Sequence, residues 1–201
     1  MQSGKYFFRV YINENSIIEL RFLIFVESLV MEEFFDVYNP DGSWRGRFLR
    51  SECHGNPELI HKSVHVVVLD SSGTKILLQK RSLCKDIQPG KWDTAVGGHV
   101  AAGESVEAAA RRELKEELGI DGTPEIFFTS TIRNDIESEN VTVFKLTSDG
   151  PFDFSVDEID EVQFFELALF RDECVRMRED FTPNLQRELG DVITMLNSGT
   201  R

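Results

Sequence analysis

Three glutamates, Glu113, Glu116 and Glu117, crowd a short stretch rich in alanine, leucine and charged residues. On a helix, positions i, i+3 and i+4 share one face, so this spacing gathers three carboxylates. Bare carboxylates at that range repel one another and either strain the helix or take up protons. A hard, oxygen-preferring divalent cation removes the conflict, and Mg2+ or Mn2+ suits such a set. Arg112 stands four residues before Glu116 and can orient it. Glu104 falls at the expected helix start, where the helix dipole favours negative charge. Upstream, Gly97, Gly98 and Gly103 let backbone approach a ligand closely and can offer the Gly97 carbonyl to a metal. A solvated acidic helix face is the ordinary alternative for such a trio taken alone.

The trio is not alone. Gly98, five residues, Glu104, seven residues, then Arg112-Glu113-Leu114-Lys115-Glu116-Glu117-Leu118-Gly119-Ile120 resembles the Nudix box at every position. The resemblance implies a Nudix-type α/β/α sandwich, an α+β fold whose mixed central sheet carries the box helix. It implies hydrolysis of a diphosphate linkage in a nucleoside-diphosphate-type or related small molecule, with metal ions at the box and a carboxylate taking the proton from water. Carried over, Glu113, Glu116 and Glu117 are the metal ligands, supported by Arg112 and Glu104. The general base is either a box carboxylate or one on a later loop, where Glu137 and Glu139 stand. Small members of the family are often homodimers.

A narrower resemblance runs through Leu77 to Lys85, Pro89-Gly90-Lys91-Trp92-Asp93 and Val96-Gly97-Gly98-His99. These stretches are similar to the Nudix branch related to type I isopentenyl-diphosphate isomerase. In that branch residues matching Arg81 and Lys85 bind the diphosphate, and those matching His65, His99, Glu137 and Glu139 contribute to a second metal site. Two departures favour hydrolysis over isomerisation. Gly97 stands where the isomerase needs a cysteine acid, and Phe164 stands where it carries a tryptophan, a stronger cation–π partner. A non-catalytic binding module is the third alternative, and the complete box speaks against it. His54 and His61 show no partner in the linear sequence, and Trp44 and Trp92 are expected in the core.

These side chains need a scaffold. Phe34–Tyr38 and Trp44–Leu49 read as strands about a Pro40-Asp41-Gly42 turn, in which Pro presets φ and Gly supplies a positive one. Asn56-Pro57 can start a short helix through His61. Val64–Leu69 and Lys75–Lys80 read as a hairpin, and Trp92–Val96 as a strand ending in the glycines. Ser105–Leu118 reads as a helix stopped by Gly119. Strands are expected at Ile126–Arg133, Val141–Leu146 and Val162–Leu167, then a helix over Asn184–Asn197. One central helix among several strands is an α+β pattern, not a βαβ alternation.

Composition narrows the partners. With 22 Lys and Arg against 35 Asp and Glu, the chain carries a net charge of −13. Such a surface repels polyanions, so nucleic acid is not an expected partner. Cys53, Cys84 and Cys174 have no paired spacing, which points to a reducing compartment. The apolar stretch from Ile17 to Val30 is broken by Glu19, Arg21 and Glu27, so it fits neither a membrane span nor a signal peptide. The cytoplasm is the expected location. Residues 1–30 differ in texture from the rest of the chain and are read as an extension to a domain over 31–201.

Overall fold

The computed structural model describes residues 32–85 and 87–198; the expected extension over 1–30 lies outside them. The elements are β1 (Phe34–Tyr38), β2 (Trp44–Leu49), α1 (Arg50–Cys53), β3 (Ile60–Leu69), β4 (Lys75–Arg81), β5 (Trp92–Thr94), β6 (Val96–His99) and α2 (Val106–Leu118). They continue with β7 (Glu125–Arg133), β8 (Ser138–Thr147), β9 (Ile159–Glu166), a 3-10 turn (Leu167–Arg171), α3 (Glu173–Arg176) and α4 (Pro183–Ser198).

The strands form one mixed sheet. β3 is its spine, running parallel to β8 along its whole length and antiparallel to β1, β4 and β6. Side chains alternate between faces along it, as the strand period requires. Val64, Val66 and Val68 pack with Ala109, Ala110, Leu114 and Leu118 of α2, whereas Val67 and Leu69 pack with Leu185, Leu189 and Val192 of α4. The sheet is thus covered by a helix on each face, the sandwich expected from the sequence. A third apolar group, Phe35, Val37, Cys53 and Leu59, seals the β1 end.

One irregularity makes room for chemistry. β3 and β4 pair only at Val68–Leu77 and Leu69–Ile76 and then part. β5 follows β4 and β6 follows β3, with the chain crossing between them at Ala95. The expected single strand from Trp92 is therefore two, and Gly97 and Gly98 lie inside β6 rather than after it.

Local chemistry explains the box helix. Ser105 caps it by accepting from the Ala108 amide at 3.1 Å. Gly119 ends it with φ +68, where its amide reaches the Lys115 carbonyl at 3.1 Å. The expected helix after Asn56 does not form. The Asn56 side chain accepts from the Glu58 amide at 3.1 Å, closing a tight turn, and the chain is already extended at Ile60.

Candidate active site

Arg112 is the hub of the box. Its Nε and Nη2 grip both oxygens of Glu104 at 3.0 Å, its Nη1 reaches Glu113 at 2.6 Å and Glu116 at 3.1 Å, and Nη2 also donates to the His99 carbonyl at 3.0 Å. One planar guanidinium thereby fixes three carboxylates and ties the helix to β6. Burial would raise the Glu104 carboxyl, but Arg112 and the Ala101 amide hold it below its usual range.

The three helix glutamates share a face yet differ in depth. Glu116 is exposed, Glu113 partly buried and Glu117 buried. Burial, then the charges of Glu113 and Glu158, push the Glu117 carboxyl up to about 8, against the 3.0 Å hydrogen bond from Gln79 Nε2. Glu113 is raised as well, first by burial. Acids whose charged form is disfavoured by burial, crowded on one helix face, form a donor set that a divalent cation fits. Gly98 is explained by the same crowding: a Cβ there would lie 2.0 Å from Glu113 Cδ.

Arg81 and Lys85 lie at and beyond the end of β4, on the strand that presents Gln79 to Glu117. Arg81 donates to Asp93 at 3.4 Å and to the Ile87 carbonyl at 3.0 Å, and Lys85 pairs with Glu158 at 3.0 Å. Glu158 is felt by Glu117, so Lys85 stands within electrostatic reach of the box.

A second cluster occupies the opposite sheet face. His54, from the turn after α1, joins His61 of β3 and His99 of β6 with nitrogens within 4.8 Å of one another. Phe35 stacks on His61 and His99 at ring separations of 5.0 and 4.8 Å. Glu139 Oε1 lies 3.7 Å from His61 Nε2 and 3.3 Å from His99 Nε2. His61 Nδ1 bonds the Leu59 carbonyl at 3.1 Å, which makes that nitrogen the donor and leaves Nε2 with its lone pair. His61 Nε2 and His54 Nε2 are buried with no hydrogen-bond partner among the described residues. Burial, together with the neighbouring His99, lowers His54 to about 4, so it stays neutral. These orphaned lone pairs beside a carboxylate fit a metal ion.

The grouping departs at one residue, His65, from the expected set of His65, His99, Glu137 and Glu139. His61 and His65 share a face of β3 but stand about 13 Å apart along it. The cluster closes at the His61 end because Glu139 is the register partner of His61, while His65 is opposite Gly97 and Val143. The His65 ring instead bonds Glu188 of α4 through Nδ1. Burial opposes its charge, but Glu188 prevails and His65 rises to about 9. His54 and His61 stand beside His99 and Glu139 instead, a grouping that no linear spacing could have revealed. Glu139 is a buried strand residue, not a loop charge; burial would raise it, yet His99 and His61 hold it well below the carboxylate range. Glu137 is raised by burial and by Glu139.

Comparisons with known proteins agree with this architecture. The NUDIX domain family model matches residues 59–185. An uncharacterized Nudix hydrolase of Yersinia pestis is 38% identical over 143 residues, covering 69% of this chain and 74% of that protein. The uncharacterized Nudix hydrolase YfcD of Escherichia coli K12 is 34% identical over 165 residues, covering 80% and 87%. A crystal structure from Deinococcus radiodurans superposes with a TM-score of 0.64 at 23% identity, over 79% of this chain and 98% of that one. The NUDIX domain of Shewanella oneidensis NrtR, solved with ADP ribose, gives 0.51 at 18%, over 71% and 88%. Among the described residues no helix is long and apolar enough to cross a membrane.

Proposed function

The chain belongs to the Nudix family and is a Nudix hydrolase, and from that premise we propose that it cleaves a diphosphate linkage in a nucleoside-diphosphate-type or related small molecule, with Mg2+ or Mn2+ at the box. The observation that carries this reading is the Arg112 hub, which holds Glu104, Glu113 and Glu116 around the sunken Glu117.

Glu113, Glu116, Glu117 and the Gly97 carbonyl would hold the ions. When bound, such ions supply Lewis-acid charge against the phosphoryl oxygens. Arg81 and Lys85 exchange their carboxylate partners for the substrate diphosphate, which makes charge-assisted contacts with them. Arg112 keeps the box carboxylates from splaying. Glu116, the most exposed of the three, is placed to take the proton from the attacking water. Glu139, named from the sequence as an alternative base, is less suited: a carboxylate held well below its usual range is a weak base.

A second ion belongs in this reading at His54, His61, His99 and Glu139, with Glu137 beside them. An imidazole-rich set favours Mn2+ or Zn2+ over Mg2+. The second reading, an isomerase of isopentenyl diphosphate, has in its favour the stretches around Arg81, Trp92 and His99 that are similar to that branch. The acid that reading needs is missing at Gly97.

The test is a phosphate-release screen across nucleotide sugars, dinucleotides, nucleoside triphosphates and prenyl diphosphates with Mg2+, beside a direct isomerisation assay. Turnover by the wild type and not by Glu117→Gln supports hydrolysis. Metal binding with no turnover of any diphosphate sinks it.

A further inference from the structure

The N-terminal hairpin holds an aromatic ring and a guanidinium that neither the fold nor the box uses. Trp44 is 61% exposed, unlike Trp92 at 8%, and so departs from the core position expected for it. Its indole Nε1 donates to Asp36 Oδ1 at 3.2 Å, and Arg47 Nε donates to the same oxygen at 3.1 Å. The other oxygen of Asp36 accepts from the Gly103 amide at 2.7 Å. The three side chains line an open groove of about 570 Å³.

A bulge builds this arrangement. Val37 pairs with Gly46 and Tyr38 with Trp44, so Arg45 is an extra residue in β2. Residues 44 and 47 are an odd number of positions apart and would face opposite ways on a regular strand. The extra residue re-phases the strand and brings Trp44 to the same carboxylate as Arg47. Asp36 fixes the indole, so stacking a planar ligand on it freezes little further motion. Arg47 uses only Nε here and leaves both terminal amino groups without a partner among the described residues, next to the loop that leads into Glu104. A ring platform beside a guanidinium that is anchored through Nε and has its terminal amino groups open among the described residues can recognise a planar base carrying a phosphate. Strand pairing with a second copy is disfavoured, because Arg45, Arg47 and the bulge blunt the edge of β2 that no other strand covers among the described residues.

We propose that the Asp36–Trp44–Arg47 groove binds a nucleoside phosphate, the base stacked on Trp44 and the phosphate on Arg47. AMP is the probe, since it holds no anhydride to cleave and its binding is read apart from hydrolysis. Trp92 is shielded, so quenching of indole fluorescence reports Trp44. Saturable quenching is expected with AMP and much weaker quenching with adenosine or ribose 5-phosphate. By calorimetry, Trp44→Leu and Arg47→Gln should each weaken AMP by about tenfold or more, with Trp44→Phe near wild type. A raised KM for hydrolysis in Trp44→Leu makes the groove the far end of the substrate site, and an unchanged KM makes it a site for a separate nucleotide; both support it. Absence of saturable quenching overturns the proposal, as does unaltered AMP affinity in folded Trp44→Leu. A dimer by light scattering that Trp44→Leu dissolves, without AMP binding, also overturns it and assigns the groove to self-association.

Discussion

The two clusters of ionisable side chains sit on opposite faces of one sheet and are built by opposite means. The box draws its carboxylates from one helix turn and the loop before it. The histidine cluster draws one side chain each from the turn after α1, β3, β6 and β8. The first is a property of local periodicity, so any helix with this spacing presents it. The second exists only because register sets Ser63 beside His99 and His61 beside Glu139. Their electrostatics differ in kind too: the box is crowded with acid, whereas His54 and His61 turn buried ring nitrogens, disfavoured as cations by burial, toward one another. Arg112 links them through its bond to the His99 carbonyl, and Glu113 feels the His99 ring.

The largest effect should come from the box. Glu117→Gln is expected to lower kcat by about a hundredfold or more while the chain stays folded. Unchanged turnover would remove Glu117 from the ligand set. Gly98→Ala drives a methyl into Glu113 and should cost about 1–3 kcal/mol in chemical denaturation, along with most activity. If it folds and works as wild type, the close approach is not required.

Metal counting tests whether the two sites are separate. His61→Gln should lose the histidine-site ion, seen as one fewer Mn2+ per chain in equilibrium dialysis, and keep the box ion. Loss of both ions would show that the Arg112–His99 bond makes them one site.

pH separates the box from the His65–Glu188 pair under α4. Glu117 is raised from 4.5 to about 8, so its contribution to folding is full below 4.5 and lost as pH rises through 8. His65 is raised from 6.5 to about 9, so its contribution is full below 6.5 and lost as pH rises through 9. In a chelator, Tm should therefore fall across this range. Saturating Mg2+ should abolish the Glu117 part and leave the His65 part, which His65→Gln removes. A Tm that does not change from pH 5 to 9 would contradict both. The smallest effect is Ser105→Ala, expected to cost about 1 kcal/mol of stability through the lost cap, read by urea denaturation.

The sequence by itself settled the box, its helix with the Ser105 and Gly119 ends, the hairpin turn at Pro40-Asp41-Gly42 and the Val64–Leu69 part of β3, because each depends on residues within a turn or two of one another. Only the tertiary structure decided that His54 and His61, not His65, join His99 and Glu139, since His61 proves to be a strand residue rather than a helix end, and strand register and α4 then give the two β3 histidines different partners. It also decided that Trp44 faces water, because a single extra residue in a strand reverses side-chain direction without leaving a local signal. Short-range spacing can be read from a linear chain; which strand lies beside which, and in what register, is fixed by burial of two apolar faces together.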